Sequence, residues 1–170
     1  MRELAEKIDH SVNVKRTLEG KYLTFTLDIE DYCIGILKIK EIIGVMPIMP
    51  VSRTPEFVQG VIDLRGKVIP VVNLRLKFGM EATDYTERTC IIVVETEGRA
   101  GTFMIGIVAD SVSEVLNIKT EHIENTPAFN TKLDTDYILG IAKMDGETKI
   151  LLDIDRVLSS AEIAFLEKAA

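Results

Sequence analysis

Little in this sequence is placed to do covalent chemistry. Cys33 and Cys90 are its two cysteines, far apart and each inside an apolar run, Tyr32-Cys-Ile and Thr89-Cys-Ile-Ile-Val-Val. No zinc-type or Cys-x-x-Cys spacing results, and both read as small buried strand residues. His10 and His122 have no second imidazole in sequence reach, so neither a metal site nor a triad is expected. The segment Gly60-Val-Ile-Asp-Leu-Arg-Gly66-Lys67-Val68 imitates a phosphate loop and fails twice. Five residues rather than four separate its glycines, and Val68 stands where the magnesium-binding hydroxyl belongs. No Gly-x-Ser-x-Gly elbow or His-Glu-x-x-His is present, and Asp153 and Asp155 do not sit in a calcium loop. Asp134 and Asp136 read as solvated loop charges. The expectation is a protein with no catalytic residues, no metal and no cofactor.

One residue does invite a binding role. Arg65 precedes Gly66 at what reads as a hairpin tip, where a forked guanidinium can pair with a carboxylate of its own chain or of a partner. It lies in a segment, residues 53–77, that carries Arg53, Arg65, Lys67, Arg75 and Lys77 against Glu56 and Asp63. That local positive excess stands in a chain of 170 residues with formal charge −7, which suggests a partner-facing surface.

The elements that must hold Arg65 are mostly strands. Apolar residues make up 46% of the chain and charged ones 28%, enough for a real core. The acidic balance excludes a nucleic-acid binder that works by neutralising phosphate. Met1-Arg-Glu-Leu-Ala-Glu-Lys lacks the apolar stretch of a signal peptide, and no segment approaches a membrane span, so no membrane insertion and a cytoplasmic location are expected. Residues 1–20 read as an N-terminal arm. Period-two alternation begins at Tyr22 and gives a hairpin through Glu30-Asp31, and a second hairpin turns at Arg65-Gly66. Leu37–Gly44 reads as a helical turn running into a strand, and Val45–Pro55, with Pro47, Pro50 and Pro55, as an extended loop. Strand patterns return from Cys90, with turns at Glu97-Gly98-Arg99 and Asp145-Gly146. Ser159-x-x-Glu162 is a capping box that opens a helix over about 160–168.

The sequence also repeats itself. A shift of eighty positions lays Phe57 on Tyr137, Gly60 on Gly140, Gly66 on Gly146, Val71-Val72 on Leu151-Leu152 and Asn73-Leu74 on Asp153-Ile154. Glu41-Ile42 matches Glu114-Val115 at a slightly smaller shift. The chain therefore divides into two related β units, with a boundary near residues 80–90. Units so small remove their edges by closing into barrels.

The run Gly60-Val-Ile-Asp-Leu-Arg-Gly-Lys-Val-Ile-Pro-Val-Val-Asn-Leu-Arg-Leu-Lys-Phe-Gly79 resembles the signature of the CheW family of bacterial chemotaxis coupling proteins. Phe25-Thr-Leu, Ile39-Lys-Glu41-Ile42, Gly106-Ile-Val-Ala-Asp110, Tyr137-Ile-x-Gly140-Ile and Leu152-Asp-Ile-Asp extend the match over about residues 20–168. Asp63 and Asn73 depart from it, standing where the family usually has Asn and Asp. The resemblance implies an all-β CheW-like domain over 21–168, made of two SH3-like five-stranded barrels. It implies a non-enzymatic adaptor joining the regulatory domain of the histidine kinase CheA to the cytoplasmic hairpin tip of methyl-accepting receptors, with further CheW copies as added partners, in arrays at the membrane. Carried over by motif position, Ile39, Glu41, Gly60, Arg65 and Val115 face the receptor, and Gln59, Thr89, Cys90 and Phe129 face the kinase. From the residues alone, Ile39 and Val115 read as core, Phe129 could equally be tucked onto its own barrel, and Glu41 and Arg65 could pair with each other. The competing readings are a module of another receptor–kinase pathway and a small-molecule-binding β-barrel.

Overall fold

The computed structural model describes residues 18–124 and 137–169. Most of the N-terminal arm, with His10, and the segment holding Phe129, Asp134 and Asp136 lie outside the described residues. The strands are β1 (Gly20–Leu27), β2 (Glu30–Gly35), β3 (Ile39–Gly44), β4 (Val58–Leu64), β5 (Lys67–Asn73), β6 (Cys90–Gly98), β7 (Gly101–Ala109), β8 (Ser111–Ile118), β9 (Ile123–Glu124), β10 (Ile138–Met144) and β11 (Glu147–Leu152). A short helix α1 (Leu74–Lys77) follows β5, and α2 (Ser160–Ala169) ends the chain. The helical turn expected near Leu37 is a 3-10 turn at Ile36–Lys38. The capping box forms as read: Glu162 N–H donates to Ser159 Oγ at 3.1 Å, and Ser159 N–H to Glu162 Oε1 at 2.7 Å.

The strands make two sheets, ordered β8-β1-β2-β11-β10-β9 and β3-β6-β7-β5-β4. The fold is all-β, of the paired SH3-like type, and the first sheet exceeds the expected five strands by the two-residue β9. The boundary expected near 80–90 separates the two sequence repeats, but it does not separate the two sheets. Each sheet joins the later strands of one repeat, β3, β4 and β5 or β8 to β11, to the opening hairpin of the other. Hairpin β1–β2 lies parallel against β11, through Tyr32 opposite Ile150, and hairpin β6–β7 lies parallel against β5, through Ile107 opposite Val72. The physical reason is that only Ile36–Lys38 separate β2 from β3 and only Asp110 separates β7 from β8, too few residues for the crossover that parallel strands of one sheet require, so each hairpin lies in the other sheet from the strand that follows it.

Three apolar clusters follow from strand periodicity. Ile91 and Val93 of β6 point into a core confined to the second sheet, while Ile92 and Val94 point into one shared by both sheets. Leu151 of β11 and its neighbours Ile150 and Leu152 divide in the same way between the first sheet's own core and the shared one. Burial on both faces explains why these strands read as unbroken apolar runs. Phe25, Tyr32, Phe78 and Tyr137 form a chain of ring contacts at 5.7, 5.8 and 5.9 Å, with Phe78, just after α1, reaching the first sheet's Tyr32.

Ion pairs tie the sheets together. Arg75 grips Asp110 with Nε at 3.0 Å and Nη2 at 2.6 Å, and Asp110 also accepts the Asp28 N–H at 2.8 Å. Burial alone would raise the Asp110 carboxyl, but the Arg75 guanidinium and that N–H hold it below the usual carboxylate range. The Glu162 carboxyl is held down in the same way, against burial, by Lys77 and Ser159. A depressed native pKa contributes stability that is present above the unfolded value, near 4, and is lost as pH falls through the native one. Thermal midpoints are therefore expected to fall as pH drops below about 4. Asp110→Asn should lower the midpoint at pH 7 and flatten that acid dependence, and an unchanged pH profile in this variant would count against the assignment.

Candidate docking surface

Arg65 and Gly66 form the two-residue tip between β4 and β5, with φ of 54° and 85°. These are the angles of a type I′ turn, which matches the twist of a hairpin but disfavours a long side chain at its first position by roughly 1 kcal/mol. The equivalent tip in the other repeat uses Asp145 and Gly146, with φ of 52° and 79°. Asp63, where the family usually has Asn, accepts the Gly66 N–H at 2.9 Å and so still closes the turn. Asn73 likewise caps α1, accepting the Arg75 N–H at 3.0 Å.

From this tip the Arg65 guanidinium donates to Glu41 on β3. β3 and β4 are opposite ends of their sheet order, so the pair bridges the sheet where it curls towards closure. It rims a shallow concavity of about 200 Å³, with Lys40 and Lys67 beside it and Ile69, Val93 and Met104 in its floor. The Arg65 side chain is 70% exposed, so the bond restrains the guanidinium without hiding it. Ile42, next along β3, is 45% exposed. The arrangement offers a fixed charge pair next to apolar surface, which suits a protein partner.

The other expected receptor-side residues fall into different places. Ile39 sits on the same strand, half-buried against the shared core at a β-bulge between Ile39 and Glu41. Val115 is 49% exposed, on β8 at the edge of the first sheet. Gly60 has φ 141°, and a Cβ there would lie 2.1 Å from the Met49 carbonyl oxygen, because Met49 bridges to Val61 across the proline-rich loop. Its place is set by that backbone crossing. Of the kinase-side residues, Gln59 is half-buried at the bulge beside Gly60. Thr89 is buried and its hydroxyl accepts the Thr86 N–H at 2.8 Å, inside its own loop. Cys90 opens β6 opposite Gly44, packs against the shared core, and has its thiol pushed up by burial.

The positive segment is less of a surface than its composition suggested. Arg75 is committed to Asp110, and Lys77 holds Glu162 of α2 at 2.7 Å while lying 4.9 Å from the Phe57 ring centroid and 5.7 Å from that of Tyr137. Both cations are 13% exposed. Their partners are remote in sequence, which is why composition alone counted them towards a partner-facing surface. Arg53 and Lys67 remain exposed, and Lys67 lines the same concavity as the restrained Arg65.

Among the described residues no cluster of His, Cys, Asp and Glu could hold a metal, and no helix is long and apolar enough to cross a membrane. Residues 21–162 match the family model of the CheW-like domain. The chain is 38% identical to the chemotaxis protein CheW of Klebsiella aerogenes, covering 91% of this chain and 90% of that one. It is 32% identical to CheW of Thermotoga maritima, over 85% and 91%. Among solved structures it superposes on the scaffolding protein TtCheW of Thermoanaerobacter tengcongensis with a TM-score of 0.76, at 33% identity, over 85% and 97% of the two chains. A paired-sheet body with a charge pair beside exposed apolar strand residues, matched over most of its length in this way, belongs to the CheW-like domain family, the non-enzymatic adaptors and scaffolds of chemotaxis.

Proposed function

We propose that this adaptor couples the cytoplasmic hairpin tip of methyl-accepting receptors to the regulatory domain of the histidine kinase CheA, with further copies of itself joining the array. The observation that carries the receptor side is the Glu41–Arg65 pair, held at a strained turn beside exposed Ile42. Backbone strain kept for one long side chain points to a task for that side chain. A receptor tip is a helical hairpin, and a helix docks on apolar surface framed by a few charges. Glu41, Arg65, Ile39 and Val115 are the residues assigned to that contact. Gln59, Cys90 and Phe129 are assigned to the kinase, while Gly60 and Thr89 act by shaping the backbone next to these contacts. Each contact need only be weak, because a lattice multiplies them.

Affinity for a receptor tip fragment and for the CheA regulatory domain, measured on the same variants, tests this. Arg65→Glu and Glu41→Arg should each weaken receptor binding about tenfold and leave CheA binding within about twofold, as expected for one interface contact worth over 1 kcal/mol. Thermal midpoints should move by no more than about 4 °C, since exposed ion pairs contribute under about 1 kcal/mol. The double charge swap should recover part of the receptor affinity. Receptor binding that survives both single reversals would sink the assignment.

A further inference from the structure

The two corresponding hairpin tips have the same backbone and are closed differently. Arg65 and Gly66, between β4 and β5, have φ of 54° and 85°, and Asp145 and Gly146, between β10 and β11, have 52° and 79°. Aspartate tolerates a left-handed angle better than most residues with a side chain, and Asp-Gly is a favoured type I′ pair. Arginine has no such advantage. The flanking strand residue differs too. Asp63 accepts the Gly66 N–H through Oδ1 at 2.9 Å. Lys143 stands at the corresponding place in the other repeat, has no acceptor to offer, and turns to Glu124 at 3.5 Å. The Asp145-Gly146 turn therefore forms without a bond of this kind. The bond occurs where the tip residue is less suited to its backbone, and Asp63 is itself exposed, so it contributes little to the core.

We propose that Asp63 is a positioning residue for Arg65: its bond to the Gly66 N–H keeps Arg65 left-handed and so aims the guanidinium at Glu41 and at a docked partner. This rests on the receptor contact proposed for the Glu41–Arg65 pair and names the residue that sets the geometry of that pair. The bond closes a ring of chain that runs through Leu64 and Arg65, so both dihedral angles of Arg65 lie inside it. The left-handed angle disfavours Arg65 by an amount similar to what one exposed hydrogen bond contributes. Without the bond, conformers with Arg65 at negative φ gain population at the tip. Such a change swings the Cα–Cβ bond while the strand ends stay paired, and the guanidinium leaves the tip along another line, away from Glu41 on β3. The loss falls on the direction of one side chain rather than on the fold. Holding a side chain in its binding direction before the partner arrives raises affinity by lowering the ordering cost.

The test uses the full chain, first free and then with a fragment of a methyl-accepting receptor tip. In the free protein, Glu41→Gln should displace the Arg65 side-chain Nε–H resonance, because it removes the charge that the guanidinium meets. With Asp63→Ala in place that response should disappear, and with Asp63→Asn it should return, since an amide oxygen accepts the same N–H. Asp63→Ala should weaken binding of the receptor fragment about fivefold, the effect of one hydrogen bond. Asp63→Asn should stay within about twofold of the unsubstituted chain. In an Arg65→Glu background Asp63→Ala should lower affinity no further, and Lys143→Ala at the other tip should leave it unchanged. A response to Glu41→Gln that survives Asp63→Ala overturns the proposal. Equal losses in Asp63→Ala and Asp63→Asn also overturn it, because they assign the effect to charge. So does receptor binding that falls in Arg65→Glu and not in Asp63→Ala. If binding moves in neither while the resonance behaves as expected, the receptor contact fails and the positioning of Arg65 by Asp63 stands.

Discussion

Cut in the exposed segment between Met80 and Thr89, the chain is expected to give two fragments that each stay unfolded alone and fold when mixed. Within the first fragment the ladders β1–β2 and β4–β5 survive, and within the second β6–β7, β10–β11 and the short β9–β10 pairing. The ladders β1–β8, β2–β11, β3–β6 and β5–β7 all join residues on opposite sides of the cut. An isolated two-stranded hairpin is marginal in water, so neither fragment keeps a stable sheet. The shared core is divided as well: Phe25, Tyr32 and Val72 fall on one side, Ile92, Ile107 and Ile150 on the other. Circular dichroism and thermal melting would give broad, non-cooperative signals for each fragment, and the equimolar mixture would show one cooperative transition. A cooperative melt from either fragment alone would mean that a repeat closes its own sheet, contrary to the four ladders that cross the cut. Two barrels folding side by side as independent halves make the opposite prediction.

The same contrast separates what could be read from the residues from what could not. Period-two alternation located the hairpin at Glu30-Asp31, the tip at Arg65-Gly66 and the run from Cys90, because burial on alternate faces leaves its mark on each strand by itself. Ser159 and Glu162 announced α2 through a local reciprocal bond. The eighty-residue repeat announced two units. Partner choice is a different kind of fact, since it brings Asp31 to Lys149 and Asp110 to Arg75, residues with no local relation. The roles of Arg75 and Lys77 escaped composition for that reason, although one signal was available: the shift that aligns the repeats sets Arg75 against Asp155, a reversal of charge within a conserved spacing. Of the docking surface, the Glu41–Arg65 pairing was one of two readings open to the sequence, and the fold chooses it. The positions of Ile39 and Val115 depend on which sheet edge each strand occupies, and that information lies in the exchange.

Gly60→Ala should lower the stability of the protein by about 3 kcal/mol, combining a left-handed backbone angle with overpacking against backbone. The added methyl would meet the Met49 carbonyl oxygen at 2.1 Å and its carbon at 2.7 Å, atoms that cannot rotate aside. Met49 and Val61 exchange two backbone hydrogen bonds, at 2.8 and 2.9 Å, so moving Met49 away also breaks the bridge that ties the proline-rich loop to β4. For a domain of this size the thermal midpoint should drop by roughly 6–12 °C. Gly140, its counterpart in the repeat, supplies the control. There a Cβ meets only the side-chain ends of Leu18 at 3.3 Å and Ile123 at 3.6 Å, and no left-handed angle is required. Gly140→Ala should therefore change stability by less than about 1 kcal/mol. The pair also decides how Gly60 serves binding. If it were a contact residue, Gly60→Ala would weaken receptor binding at an unchanged midpoint, as Arg65→Glu is expected to do. If it shapes the backbone, the midpoint falls first, and affinity for receptor and kinase declines together, because Gln59 and Arg65 lie on the hairpin that Gly60 anchors.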